Sequence, residues 1–547
     1  MKRVLVLGGY GVFGGRLARL LADEPRLTLL IAGRDGAKAQ AFCAGFRGRA
    51  QVLPVVADRA GIAAAIAAHA PDLIVDASGP FQAYAGDPWA VPRAAIAAGL
   101  PYLDFADGAE FVAGIATLDA AARAAGVFAL SGVSSFPVLT HAVLAEMAQG
   151  MTPRRVTAGI APSPYAGVGM NVLRAVLGYA GSEVALIRDG RAAHGIGLAD
   201  NLIATIAVPG EVPLQPLRFS LVEVPDLLAI PAAMPGIKTL WVGAAPQPAL
   251  LHRVLNLLAR ARHRLRLSAL SPLAPLAHWM LNLHPTGEHR GGMFVLAEGE
   301  GTTRSWHLLA EGDDGPLIPS MAIEILIRRW LEGNTPEPGA RAALGALSLA
   351  DYEAAFARRT ITTGWRSDDD APLYPATLGP AFTRLPPQLQ ALHRPGPRAV
   401  WQGQAQVTRG TSPLAALVVR LFGFPQAGQQ PVTVTFTTGA TGRETWARRF
   451  GPRLMRSTQE AGRGRMRHLV VERFGPFAFG LALQIRDGRL NIIPRRWSLL
   501  GMPLPRALMP GGTSWEEERD GRFRFHVEIT LPLIGPVVSY DGWLTPA

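Results

Sequence analysis

The residues best equipped for chemistry stand at the start of the chain, in Gly8-Gly9-Tyr10-Gly11-Val12-Phe13-Gly14. Glycines at this spacing make a tight turn and let the backbone approach a pyrophosphate, and the last of them lets a helix pack closely on a strand. The N–H groups that open the helix then face the phosphates, supported by the helix dipole. All seven residues are therefore candidates for holding a dinucleotide. The pattern carries that meaning only between a strand and a helix. Both are predicted: Val4 to Leu7 is a short apolar run closed by glycine, and Leu17, Leu20 and Leu21 have helical spacing within Arg16 to Ala22.

The choice of nucleotide is written at the end of the next strand. Leu27 to Ala32 reads as strand two and runs into Gly33-Arg34-Asp35. A carboxylate at such a strand end accepts from the ribose 2′-hydroxyl of NAD, whereas an arginine nearby accommodates a 2′-phosphate. Gly33 removes bulk, and Arg34 offers a planar donor fork suited to phosphate. Lys38, a helical turn on, adds charge. The competing reading pairs Arg34 with Asp35 at the surface. The pattern favours NADP over NAD as cofactor.

These residues need a sheet to hold them, and the first 130 residues alternate strand with helix. Val52 to Ala57, Leu73 to Ala77, Tyr102 to Phe105 and Val127 to Leu130 read as strands. Ile62 to Ala68, Pro92 to Ala98 and Ala109 to Ala125 read as helices between them. The fold class is α/β, with a doubly wound parallel sheet whose ligand lies across the carboxyl ends of its strands. Asp58, after strand three, is placed near the adenine. Ser78, Gly79 and Pro80, after strand four, are placed near the nicotinamide; each could instead cap a helix or make a turn.

The segments at 8–14, Ala-Gly-Arg-Asp at 32–35, Asp-Ala-Ser-Gly-Pro-Phe at 76–81, Tyr-Leu-Asp at 102–104 and Gly132-Val133-Ser134-Ser135-Phe136-Pro137 together resemble saccharopine dehydrogenase-like oxidoreductases. The resemblance spans roughly residues 1–365. It implies a Rossmann domain over 1–130 and an α/β substrate domain over 131–366, whose last helices, here Leu317 to Glu332 and Ser348 to Arg359, return to the first. Members of the family act on substrates from amino acids to lipid-like chains, so the family leaves the substrate open.

Hydride transfer also needs an acid or base beside the reacting carbon. Candidates at or just beyond strand ends are Asp104, Asp107, Ser134, Ser135 and His141, although a lone histidine in a helix, as His141 is read, is more often structural. No Tyr-x-x-x-Lys or Ser-x-x-x-Lys pair occurs where it would serve. The histidines lack metal-ligand spacing with carboxylates, so no metal site is predicted. A helix following Asn171 makes that residue a candidate cap or ligand contact.

Composition bounds the remainder. At 547 residues the chain holds several domains, and 49% hydrophobic with 18% charged residues describes a globular protein. The lone Cys43 excludes internal disulfides and suits a reducing compartment. The apolar run after Met1-Lys2-Arg3 is too short for a secretory signal. A cytoplasmic protein follows, with contact at the inner face of the membrane as a further reading for two segments. One is 250–283, where Arg253, Arg260, Arg262, Arg264 and Arg266 interleave with leucines, followed by an apolar stretch. The same segment also reads as an insert packed on its domain or as a homodimer face. The other is the last third: residues 371–547 hold 22 Lys and Arg against 10 Asp and Glu, which accounts for the net charge of +12. These arginines are scattered through strand-like segments without a recognition helix, which argues against nucleic acid as partner and leaves a small-molecule or lipid-like substrate.

After the acidic stretch Ser367-Asp368-Asp369-Asp370 the period changes from helical to alternating. Ala399 to Val407, Val432 to Phe436, His468 to Glu472, Phe477 to Ile485 and Phe523 to Leu531 read as strands. Asp487-Gly488 and Asp520-Gly521 are hairpin signals, and Pro413 to Phe422 is one helix among them. Residues 371–547 are thus a separate antiparallel β-rich domain, curved enough to wrap a helix or a ligand. The motifs Phe422-Gly423-Phe424-Pro425, Glu444-Thr445-Trp446 and Glu472-Arg473-Phe474-Gly475-Pro476 resemble a bacterial domain of unknown function found fused to such reductases. Trp401, Trp446, Trp497, Trp515 and Trp543 are core or the lining of an apolar pocket. Two functions remain: an NADP-dependent oxidoreductase on a hydrophobic or carrier-bound substrate, or a non-catalytic NADP sensor whose basic β-domain binds an anionic lipid or partner.

Overall fold

Short apolar runs separated by glycine become buried parallel strands. In the computed structural model Leu27–Gly33 is buried at all seven positions, as a strand covered on both faces must be. The model describes residues 1–82, 84, 86–167, 169–283, 287–367, 372–439 and 442–547, the side chains of 171 and 281–283 excepted. The first sheet runs in the order Gly339–Ala342, Phe128–Ser131, Tyr102–Asp104, Leu73–Asp76, Lys2–Leu7, Leu27–Gly33, Gln51–Val56. All its pairings are parallel. The first strand lies at the switch point, and the order reverses on either side of it. Its core gathers Leu5, Leu7, Leu30, Ile74, Tyr102 and Ala129, with Ala340 from the far strand.

The chain divides into two units, Met1–Ala204 with Leu217–Thr363, and Thr205–Pro216 with Gly364–Ala547. In the first unit a mixed sheet follows the parallel one. Its order is Asn201–Ala204, Leu217–Leu221, Thr239–Ala244, Arg155–Ala161, Arg290–Gly299, Thr302–Glu311, with Ile361–Ser367 at the edge. Helix Ile318–Leu331 returns to pack on Val12–Leu20, and a strand, Gly339–Ala342, then joins the parallel sheet. The next helix, Leu349–Phe356, is opened by a capping box of Ser348 and Asp351.

Three local expectations change. The helix predicted over Ala109 to Ala125 is broken into Ala109–Gly114, a 3₁₀ turn Ile115–Leu118, and Asp119–Ala124. The break follows Gly114, where an added Cβ would stand 2.1 Å from the Trp89 ring. The helix expected after Asn171 starts at Met170 with Gly169 in the capping position. The stretch 205–216, read as part of a domain spanning 131–366, lies in the second unit. One of the histidines weighed as metal ligands, His284, and the stretch 368–371 fall outside the described residues.

The arginine-rich segment forms helix Ala249–Leu265, which buries Leu255 with Leu173 and Leu177 of the neighbouring helix. It leaves Leu250, Leu257 and Leu265 exposed. No described helix is long and apolar enough to cross a membrane.

The second unit is an antiparallel barrel. Its strands run Phe477–Arg486, Val470–Phe474, Arg453–Ala461, Glu444–Phe450, Gly428–Thr438, Arg398–Arg409, Gly535–Pro546, Arg522–Leu531, Ser514–Arg519, Arg489–Leu499, with the two-residue Met502–Pro503 appended. Pairing of Phe477–Arg486 with Arg489–Leu499 closes the ring. Asp487-Gly488 and Asp520-Gly521 make the two predicted hairpins, each residue at positive φ as a type I′ turn requires. Strand Gly535–Pro546 pairs back onto Arg398–Arg409, so the end of the chain closes what its start opened. Residues 205–216 strap the barrel's outside: Ile485 N–H donates to Gly210 O at 2.9 Å, and Val212 packs with Leu469 and Ala482.

Candidate active site

The glycine loop leaves the first strand by donating Gly8 and Gly9 N–H to Ala32 O, at 2.8 and 3.0 Å. Gly8 takes φ +79°, and a Cβ there would stand 2.5 Å from Ala77 O. A Cβ on Gly14 would stand 2.5 Å from Gly8 O, so this glycine seats the helix on the strand. Gly11 differs. Its φ is −74°, and a Cβ there would meet only the loop's own Gly8 O at 3.0 Å. The space beyond Gly11 is open. Helix Val12–Leu20 follows directly, and the N–H groups of Val12, Phe13 and Gly14 make no hydrogen bond among the described residues. Unpaired donors at a helix start, opposite a glycine without side-chain bulk, form a seat for a pyrophosphate. The residues present fit a bound dinucleotide.

Around this seat the predicted residues take distinct positions. Tyr10 lies over Gly33 and accepts the Asp35 N–H at its hydroxyl, 3.1 Å away. Phe13 stacks on Phe105 with ring centroids 5.7 Å apart. Val12 is 45% exposed. Arg34 is exposed and makes no hydrogen bond or ion pair among the described residues. Asp35 turns the other way. It accepts from Lys38 N–H at 3.1 Å, caps helix Gly36–Gly45 and pairs with Lys38 Nζ at 3.4 Å. The surface pair read for Arg34 is therefore made by Lys38, whose charge is engaged while the Arg34 fork stays free.

Asp58 accepts from Gly61 N–H at 2.8 Å and so closes the turn before helix Ile62–His69. Ser78 donates its hydroxyl and its N–H to Asp76 Oδ1, at 2.6 and 2.9 Å. Asp76 is wholly buried and pairs through Oδ2 with Arg59, at 3.1 Å. The Arg59 guanidinium also lies 3.4 Å from the centre of the Tyr84 ring. Gly79 and Pro80 continue from Ser78 across a cis peptide.

The candidate acid–base residues are not gathered. Asp104 is wholly buried, its Oδ1 accepting from Ala106 N–H at 2.9 Å and Gly132 N–H at 2.7 Å. Burial pushes its carboxyl up to about 7. It ties two loops together, which is a structural task. Ser134 donates its N–H to Gly132 O, and Ser135 Oγ is buried without a partner. His141 has a buried, unpartnered Nδ1, and burial lowers its pKa. Among the described residues no hydrogen bond joins Ser134, Ser135 and His141 to one another.

A different cluster carries the marks of an acid–base site. Asp107 lies just past the end of strand Tyr102–Asp104, Tyr179 ends helix Met170–Tyr179, and Glu223 follows strand Leu217–Leu221. Glu223 reaches across to accept Ala109 N–H at 2.9 Å. Burial raises both carboxyls, and each is raised further, or raises its neighbour, by charge repulsion: Asp107 acts on Glu223, and both act on the Tyr179 hydroxyl. All three side chains are half-buried, at the carboxyl end of the parallel sheet where the nucleotide loop also opens. Burial and like charge both favour the protonated form of these carboxyls, which is what a proton-handling group in a cleft needs. Only Asp107 was among the sequence candidates. Tyr179 and Glu223 come from distant segments, and no local spacing announces them.

The parallel sheet, its switch-point glycine loop and its free helix N-terminus define an NAD(P)-binding domain of the dehydrogenase type. Residues 4–130 match the model of the saccharopine dehydrogenase NADP binding domain, and residues 385–544 match a domain of unknown function, DUF4166. The chain thus joins these two kinds of domain. No curated protein matches it. Among solved structures it is similar to an amine dehydrogenase from Mycobacterium smegmatis, 12% identical with a TM-score of 0.33, over 64% of this chain and 95% of that one. It is also similar to GenD2 from gentamicin A biosynthesis in complex with NAD, 14% identical with a TM-score of 0.30, over 66% and 96%. A probable dehydrogenase from Thermotoga maritima is 9% identical with a TM-score of 0.31, over 64% and 93%. Likenesses this remote say nothing of chemistry.

Proposed function

We propose that the first unit is an NADP-dependent oxidoreductase in which Asp107, Glu223 and Tyr179 handle the proton that accompanies hydride transfer. The observation that carries this reading is the placement of those three groups in the same unit, and at the same sheet end, as the glycine loop. Gly11 and the free N–H groups of Val12, Phe13 and Gly14 hold the pyrophosphate, and Arg34 receives the 2′-phosphate. A bound nicotinamide supplies or accepts a hydride. Asp107 and Glu223, whose burial favours the protonated form, are the groups that hold the proton, and Tyr179 is the hydroxyl through which it can reach a substrate oxygen or nitrogen. Phe81, Tyr84 and Phe111 pack together with centroids 5.1 to 6.1 Å apart beyond strand four, which suits a hydrophobic or carrier-bound substrate. The test follows NADPH absorbance in the full chain with a panel of ketones, imines and enones. Turnover that falls roughly 10²–10⁴-fold in Asp107→Asn, with NADPH affinity unchanged, supports the assignment. A second reading, an NADP sensor without chemistry, is favoured by the scattered placement of Asp104, Ser135 and His141. Tight NADPH binding with no turnover across the panel would select it.

A further inference from the structure

The closed sheet of the second unit encloses a cavity of about 470 Å³. This is the size of a small-molecule site. Alternation along barrel strands sends every second side chain inward, and the inward rows here are mostly aromatic. Phe436, Phe479, Trp497 and Phe525 line the wall. Such a surface favours an apolar body in place of water.

One part of the wall is polar. Arg448 and Glu472 both face the cavity. Arg448 donates to Ser457 Oγ at 2.7 Å and to Glu472 Oε1 at 3.0 Å, and Ser457 Oγ donates to the same oxygen at 2.7 Å. Within this pair the charges cancel, and Glu528, a further lining carboxylate, accepts from the Thr513 hydroxyl at 3.0 Å. Glu516, another lining residue, is likewise engaged, by His393 at 2.5 Å. Beside this network stands Gln459, which also lines the cavity and is 2% exposed. Its Oε1 has no hydrogen-bond partner among the described residues. A buried acceptor without a donor is costly, and a small turn of the Gln459 amide, in the wall of a ligand-sized cavity, brings this acceptor to a donor placed there.

We propose that the barrel binds an uncharged lipid-like alcohol, its apolar body against the aromatic wall and its hydroxyl donating to Gln459 Oε1. A carboxylate brings no proton to Gln459 and would face the carboxylates of Glu472 and Glu516. An ammonium would find Glu472, Glu516 and Glu528 already engaged and would meet the Arg448 guanidinium. A hydroxyl satisfies the free acceptor and leaves the Arg448–Glu472 pair intact. This site lies within the second unit, so it stands or falls separately from the chemistry assigned to the first.

The test titrates the full chain with 1-dodecanol, dodecane, dodecanoate and dodecylammonium, reading the fluorescence of tryptophans that include the wall residues Trp446 and Trp497. Saturable binding of 1-dodecanol, tighter than any of the other three, is the expected result. Gln459→Leu should weaken 1-dodecanol roughly five- to tenfold while leaving dodecane unchanged, since one neutral hydrogen bond is lost. Should that variant fail to fold, Gln459→Asn, which withdraws the carbonyl from the cavity, carries the same expectation. Tighter binding of dodecanoate or dodecylammonium would overturn the proposal. So would an equal loss for dodecane in the variant, or no saturable binding by any of the four.

Discussion

The ring of Tyr10 occupies the space that a side chain on Gly33 would need: a Cβ built on Gly33 falls 2.3 Å from Tyr10 Cε1. The Tyr10 hydroxyl then accepts Asp35 N–H at 3.1 Å. Two segments read separately, the glycine loop and the end of strand two, are thereby one clamp. Gly33→Ala must push Tyr10 out and break that hydrogen bond. NADPH affinity should fall roughly tenfold, the equivalent of about 1.4 kcal/mol. The Tyr10→Phe variant should lose less, because the ring still packs. Titration calorimetry of both variants checks the order; a Gly33→Ala protein with wild-type affinity would remove the clamp from the site.

Arg34 bears on cofactor choice. It stands free at the strand end while Lys38 is held by Asp35. Arg34→Ala should weaken NADPH by roughly tenfold to a hundredfold, as loss of a charged hydrogen bond does, and NADH hardly at all. Equal affinity of the wild-type chain for the two nucleotides would contradict the assignment.

Gly11 and Gly14 should lose the cofactor alike on the same substitution but differ in stability. At Gly11 the backbone is extended and the space is open, so Gly11→Val folds but places methyl groups where a pyrophosphate must lie. At Gly14 a Cβ is 2.5 Å from Gly8 O and 2.8 Å from Gly9 Cα, so Gly14→Val separates helix from strand. NADPH binding should vanish in both, but only Gly14→Val should lower the melting temperature markedly, through overpacking costs of about 1–3 kcal/mol or more.

Which parts were legible follows from how local each signal is. Leu27 to Ala32 betrays a strand buried on both faces, because it has no polar alternation. Asp487-Gly488 betrays a hairpin, because few other pairs tolerate two positive φ values. Gly339–Ala342 gave no such sign. Its sequence, Gly-Ala-Arg-Ala, has weak strand preference, and only pairing with Phe128–Ser131 makes it a strand. The Asp107, Tyr179 and Glu223 cluster was hidden for a related reason: its members meet only through tertiary packing. The free position of Arg34 at the strand end follows from its place after Gly33, whereas the engagement of Lys38 by Asp35 had no local sign.

Asp226 makes a prediction about pH. It is wholly buried, and burial pushes its carboxyl up to about 7. The unfolded chain releases this proton near pH 4, the ordinary carboxylate value. Between about 4 and about 7 the folded state therefore holds a proton that the unfolded state has lost. Stability contributed by this group is complete below pH 4, declines as the pH rises through that window, and is lost above it. Asp226→Asn removes the ionisation and should be more stable than wild type at pH 8, by roughly 1–3 kcal/mol, but not at pH 4. Asp104, also raised to about 7, leaves part of the slope in the variant. Chemical denaturation at the two pH values measures the difference.

The strap of residues 205–216 makes the barrel depend on a piece of chain far from it in sequence. Val212 is 9% exposed and packs with Leu469, Ala482 and Ile493. Its segment is fixed by Ile485 N–H to Gly210 O at 2.9 Å, Arg496 to Gln215 Oε1 at 2.7 Å, and Arg366 to Ala207 O at 2.7 Å. A fragment of residues 371–547 lacks this segment and exposes Leu469 and Ala482, so it should be β-rich but less stable than the same residues in the full chain. Val212→Asp tests the point without truncation. It buries a carboxylate among apolar side chains, at a cost of about 2–4 kcal/mol. For a unit of this size that lowers its melting temperature by roughly 4–16 °C. The transition that NADPH raises, which belongs to the first unit, should stay in place. If Val212→Asp lowered both transitions equally, or neither, the strap would not be what stabilises the barrel.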